Sequence, residues 1–128
     1  MARILVADDT KQMRLALRLA LEHAGHQVDE ATDGVEALVL CAANRPDLLI
    51  CELFMPGRDG LETIREVRRS RLCSRIIALS GGTETVPPNF QRAAQAMGAD
   101  MALAKPVHLK QVVEVVQQLL GIRNGREC

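Results

Sequence analysis

Five times along this chain a short apolar run gives way to a stretch of helical periodicity, and nothing else in the sequence constrains the fold as much. Residues 3–8 (RILVAD) read as a strand, and residues 10–24 as a helix with Met13, Leu17, Ala20, Leu21 and Ala24 on one face, stopped by Gly25. Residues 27–31 form a shorter, more polar strand, as expected at a sheet edge. Asp33 with Glu36 three residues on resembles a capping box, and Pro46 ends the helix that follows at about Asn44. Residues 47–51 (DLLIC) make a continuous apolar strand, followed by a third helix marked by Leu61, Ile64 and Val67. Residues 75–79 (RIIAL), a polar loop ending Pro87-Pro88, an alanine-rich helix over 89–97 and a strand over 100–104 come next. The last helix carries Leu109, Val112, Val113, Val116, Leu119 and Leu120 at helical spacing. Five βα units of this kind predict an α/β fold: a doubly wound, five-stranded parallel sheet with five helices on its two faces.

The chain is 128 residues long, which is single-domain size, and residues 1–121 are read as one domain followed by a short polar tail, 122–128. Sixteen basic residues balance sixteen acidic ones, which argues against nucleic-acid binding by charge. No apolar run approaches the roughly 20 residues that span a bilayer, and the N-terminus MARILVADD has no signal-peptide pattern. Cys41, Cys51, Cys73 and Cys128 show no C-x-x-C spacing and read as isolated thiols of a reducing cytoplasm. His23, His26 and His108 form no ligand cluster and are expected at the surface. The basic run Arg65, Arg68, Arg69, Arg71 and Arg75, close to Glu62 and Glu66, is expected to be a solvated helix face.

In parallel sheets of this kind ligands bind outside the carboxyl ends of the strands, and here the polar residues fall at those ends. The first strand ends in Asp8-Asp9, the third in Glu52, the fourth in Ser80-Gly81-Gly82 and the fifth in Lys105-Pro106, while the second contributes nothing distinctive. Clustered carboxylates repel one another, so a cation must neutralise them or their pKa values rise. Hard oxygen ligands suit Mg²⁺, and a lysine with a hydroxyl opposite the metal suits phosphoryl oxygens. Taken singly, Asp8-Asp9 reads equally well as helix capping, and Ser80-Gly81-Gly82 and Lys105-Pro106 read as turns. Taken together they point to metal-assisted handling of a phosphoryl group.

ILVADD at the first strand, PDLLICELFMPGRDG around the third, ALSGG at the fourth and GADMALAKP at the fifth carry a family resemblance over nearly the whole chain. It is similar to the receiver domains of two-component response regulators, of the chemotaxis-regulator type. The resemblance implies a flavodoxin-like sheet of order 2-1-3-4-5. It implies Asp9 as a direct Mg²⁺ ligand, Asp8 acting mainly through metal-bound water, and the Phe54 carbonyl as a further ligand, with Glu52 also able to ligate the metal. It implies Ser80 and Lys105 as phosphoryl-holding groups, a cis bond before Pro106, and as partners a histidine kinase or phosphotransfer protein and an output protein. Glu52 stands at the position of the family's phosphoaccepting aspartate.

Two departures from the family pattern follow. The extra methylene of Glu52 moves its carboxylate about one carbon–carbon bond further into the pocket, and a misplacement of about 1 Å can cost roughly 100-fold in transfer. A carboxylate with that reach can meet Lys105 or Ser80 and imitate the phosphorylated state. At the position of the family's inward-turning aromatic stands Ala102, so the moving part of the usual read-out is missing as well. These features favour a receiver impaired in, or independent of, phosphorylation. The alternative is a working phospho-switch, in which Glu52 is an introduced change or another acid accepts the phosphate. A metal-dependent phosphohydrolase is disfavoured, because the acids are adjacent rather than D-x-D and no G-x-x-x-x-G-K-[ST] loop occurs.

Overall fold

The computed structural model describes residues 2–55, 60–80 and 90–121, the side chains of residues 90 and 91 excepted. Residues 56–59, Gly81, Gly82, Pro87, Pro88 and residues 122–128 lie outside the described residues. The elements alternate as β1 (Arg3–Ala7), α1 (Lys11–His23), β2 (Gln27–Ala31), α2 (Gly34–Asn44), β3 (Leu48–Glu52), α3 (Gly60–Arg69), β4 (Arg75–Ser80), α4 (Phe90–Ala96), β5 (Met101–Ala104) and α5 (Leu109–Leu119). All strand pairs are parallel, in the order β2-β1-β3-β4-β5, so β2 is an edge strand as expected. This is the doubly wound, flavodoxin-like arrangement, with boundaries shifted from the predicted ones by a single residue.

Strand alternation divides the core between the two faces. Ile4, Val6, Leu48, Ile50, Ile77, Leu79 and Leu103 pack with Leu17 and Leu21 of α1 and Val112, Val115 and Val116 of α5. Leu5, Ala7, Leu49, Cys51, Ile76, Ala78 and Ala102 meet Ala37 and Cys41 of α2, Ile64 and Val67 of α3 and Ala94 of α4. Each fully buried Leu or Ile contributes about 1.5–3 kcal/mol. The same alternation continues past the apolar residues. Asp8 follows Ile4 and Val6, Glu52 follows Leu48 and Ile50, and Lys105 follows Leu103. Three charged groups therefore leave their strands on the side covered by α1 and α5.

Local chemistry sets the ends of the helices. The Asp33 carboxylate accepts from the Glu36 N–H at 2.8 Å, and the Glu36 carboxylate reaches back to the Thr32 N–H at 2.6 Å. Gly25, with φ of 98°, turns the chain after α1. That turn corrects one expectation. His23 and His108 are exposed, but His26 is buried, because the chain doubles back and the His26 N–H bonds the Leu21 carbonyl at 3.1 Å. Its Nδ1 accepts from the Ala2 N–H at 3.3 Å, and Nε2 has no partner among the described residues.

The basic run is only partly the expected solvated face. Arg69 pairs with Glu66 on the surface of α3. Arg68 instead donates to the Gly98 carbonyl at 2.6 Å, the Ser74 carbonyl at 3.0 Å and the Asp100 carboxylate at 2.9 Å, joining α3 to the turn before β5.

Two outcomes follow from this packing. Burial, and then the N-terminal charge, push the His26 imidazole below its usual range. The unfolded chain thus binds more protons on the acid side, and stability that is complete above about pH 6.5 drains away as pH falls below it. Urea titrations between pH 7.5 and 5.5 will show this decline, and His26→Gln will flatten it; an equal decline in the variant would contradict the assignment. At Gly60 a Cβ would lie 2.6 Å from the Leu53 Cα and closer still to the Glu52 carbonyl oxygen, while the Gly60 N–H donates to the Leu53 carbonyl at 3.0 Å. Gly60→Ala forces backbone apart at the end of β3 and will cost about 1–3 kcal/mol in the same titrations at pH 7.5.

Candidate functional site

The carboxyl ends of β1, β3 and β5 converge on one lysine ammonium. Lys105 Nζ lies 2.8 Å from Asp8 Oδ2 and 2.6 Å from Glu52 Oε1. All three groups are withdrawn from solvent, with side-chain exposures of 8% for Lys105, 0% for Asp8 and 1% for Glu52. The second oxygen of each carboxylate is held by backbone: Asp8 Oδ1 accepts from the Thr10 N–H at 2.8 Å and Glu52 Oε2 from the Phe54 N–H at 3.2 Å. Ser80, fully buried, ends β4 beside this group, and its Oγ accepts from the Lys105 backbone N–H at 3.4 Å. The Lys105–Pro106 bond is cis. Ala102 is buried among the residues that face α4.

Asp8 and Glu52 thus share one cation. Burial raises the Glu52 carboxyl above the usual carboxylate range and outweighs the lowering by Lys105 and the Phe54 N–H. Burial alone would depress the Lys105 ammonium, but Asp8 and Glu52 more than reverse it and hold the amine charged. Apart from this 2.6 Å ion-pair contact with Nζ, the buried Oε1 has no hydrogen-bond partner among the described residues. With both carboxylates ionised, a single ammonium leaves the centre one negative charge in excess.

This donor set of hard oxygens, one of them without a hydrogen-bond partner among the described residues, fits a divalent cation such as Mg²⁺. Of the four predicted ligands, Asp8 and Glu52 are brought together, and Phe54 lies next to them with its side chain half exposed. Asp9 is exposed. Among the described residues no three His, Cys, Asp or Glu side chains lie close enough to share a metal as they stand.

Two supporting residues carry no clear signal in the sequence. Arg14 of α1 donates through Nη1 to the Asp8 carbonyl at 2.8 Å and through Nε to Glu30 of β2 at 2.9 Å. Arg18, one turn on, takes the other Glu30 oxygen at 2.7 Å. Arg18, then Arg14, draw the Glu30 carboxyl below its usual range despite burial. The second strand, which looked undistinctive, therefore does reach the site. An arginine on the polar side of an amphipathic helix resembles its neighbours until its partner is known.

Comparison with known proteins agrees with this fold. The sequence model of the family described as "Response regulator receiver domain" matches residues 4–117. The chain is 38% identical over 118 residues to the response regulator MprA of Mycobacterium sp. (strain KMS), covering 92% of this chain and 50% of that protein. It thus spans about half the length of the curated relatives it matches. Among solved structures, the Francisella response regulator 1452 receiver domain superposes with a TM-score of 0.85 at 27% identity, covering 94% of this chain and 98% of that one. The Vibrio cholerae chemotaxis protein CheY4 superposes with a TM-score of 0.82 at 32% identity, covering 92% and 98%. The chain belongs to the response regulator receiver domain family, the signalling domains of two-component systems.

Proposed function

We propose that this receiver, spanning residues 1–121, signals without waiting for phosphorylation, because Glu52 occupies the phosphoacceptor position and already engages Lys105. One observation carries the reading: Lys105 Nζ lies 2.6 Å from Glu52 Oε1 with both groups buried. In a phosphorylated receiver the lysine holds an oxygen of the new phosphoryl group. Here the longer glutamate side chain brings a carboxylate oxygen to the same ammonium, so the charge contact exists in the resting chain. Phosphoryl transfer is an in-line displacement governed by positioning. A carboxylate pinned by Lys105 on one oxygen and by the Phe54 N–H on the other is poorly placed to attack.

Asp8, Asp9, Glu52 and the Phe54 carbonyl would hold Mg²⁺, the ion that receiver domains typically bind. When bound, it would neutralise the excess carboxylate charge and that of an approaching phosphate. Ser80 and Lys105 then serve as the groups that fix the anion, or in its absence Glu52. Ala102, which lacks an aromatic ring to rotate, leaves the face formed by α4, β5 and α5 with one arrangement to present. The partners are a histidine kinase or phosphotransfer protein, an output protein, or both, in a cytoplasmic pathway. Among the described residues no helix is long and apolar enough to cross a membrane.

The test is intact-mass spectrometry after incubation with Mg²⁺ and acetyl phosphate, run on the chain as given and on Glu52→Asp. The expected result is a gain of one phosphoryl group by the aspartate variant alone. A gain by the unaltered chain would overturn the proposal and favour a working switch, and no gain by either would place the defect beyond residue 52.

A further inference from the structure

Asp8 is held at more points than a residue just beyond a strand normally is. Its N–H bonds the Ala31 carbonyl at 3.1 Å, Oδ1 takes the Thr10 N–H, Oδ2 takes the Lys105 ammonium, and its carbonyl accepts from Arg14. The first three are what a strand end, a local turn and an ion pair supply. The fourth is not, because past the end of β1 the carbonyl has lost its ladder partner. We propose that Arg14 is a positioning residue of the pocket: by holding the Asp8 carbonyl it fixes the peptide that aims the Asp8 carboxylate at Lys105. The inference rests on reading the Asp8–Lys105–Glu52 centre as the working site of the receiver.

The guanidinium suits this task. It is a planar fork of donors, so one group can satisfy two acceptors in fixed directions. Its Nε engages Glu30 while Nη1 engages Asp8, and the side chain is only 13% exposed. Glu30 cannot swing away, because Arg18 holds its other oxygen from one turn further along α1. The chain of contacts therefore runs from α1 and the edge strand, through Arg14, to the backbone of Asp8 and then to its carboxylate. Without Arg14 the Asp8 carbonyl is free to turn, and the peptide joining Asp8 to Asp9 turns with it. The carboxylate then loses its aim at the ammonium. The competing account, in which Arg14 merely fastens α1 to β2, predicts that Arg18→Gln disturbs the pocket as much as Arg14→Gln does.

Lysine acylation reads the pocket directly, because the chain has only three lysines and two of them, Lys11 and Lys110, are exposed and serve as internal references. The chain is treated briefly with a water-soluble acetylating ester at pH 7.5, and each lysine is quantified by peptide mass spectrometry. Loss of a charge-assisted contact of this kind will raise Lys105 labelling relative to the references by about tenfold in Arg14→Gln. Arg18→Gln, which leaves the Arg14–Asp8 bond in place, will raise it far less, and a core control such as Val116→Ala will leave it near the wild-type value. If Arg14→Gln does not fold, Glu30→Gln takes its place, with a smaller rise in the same direction. An unchanged Lys105 rate in the Arg14 or Glu30 variant, or an equal rise in Arg18→Gln or Val116→Ala, would overturn the proposal. No phosphate enters the assay, so its outcome is independent of whether Glu52 accepts a phosphoryl group.

Discussion

One buried ammonium shared by two buried carboxylates is the constraint that the rest of the site depends on. Removing a charge from water costs several kcal/mol even after relaxation, and a buried pair recovers this only with close geometry and further hydrogen bonds. The centre meets both conditions on the Asp8 side, where Lys105 and the Thr10 N–H take one oxygen each. On the Glu52 side it meets them less fully, with Oε1 in contact with the charge but without a further partner among the described residues. Burial accordingly raises the Glu52 carboxyl, and the two acids are not equivalent. The more weakly compensated oxygen is also the one nearest the ammonium.

The fold exists to make that convergence possible. A parallel sheet covered on both faces aligns all its strand ends at one edge, and the register pairs Ala7 with Cys51 and Glu52 with Leu79. Strand alternation then decides which polar residue goes to which side. Asp8, Glu52 and Lys105 inherit the side of Val6, Ile50 and Leu103, whereas Ser80 inherits that of Ala78. The constraints nearby are steric as well as electrostatic. Gly60 must lack a side chain because the backbone of Glu52 and Leu53 passes directly over it.

Much of this was legible in the sequence, for identifiable reasons. Apolar runs of about five residues bounded by turn residues located the strands, and the spacing of Leu109, Val112 and Val116 located α5. Boundaries slipped by one residue where a polar side chain, Glu52 or Ser80, stays in the ladder because its backbone still has a register partner, Leu79 for Glu52 and Ala104 for Ser80. Charges ending apolar strands marked the residues that the structure brings together, Asp8, Glu52 and Lys105. What could not be read were contacts set by the turn of a helix against a strand. Arg14 and Glu30 are sixteen positions apart and look like ordinary surface residues, yet they pair, and Arg14 also donates to the Asp8 carbonyl. His26 looked like a surface histidine because the turn that buries it depends on Gly25 adopting a positive φ. The exposure of Asp9 was equally hidden, because adjacent residues leave a strand end in different directions.

The claim that most needs a direct test is that Glu52 and Lys105 are energetically coupled in the resting chain. A double-mutant cycle with Glu52→Gln, Lys105→Met and the double variant, each measured by urea unfolding at pH 7.5, isolates that coupling. The account predicts a coupling energy of about 1–3 kcal/mol, the double variant being less destabilised than the sum of the single changes. Additive effects within about 0.5 kcal/mol would contradict it: Glu52 would then not hold the lysine, and the phosphorylation-independent reading would lose its physical basis.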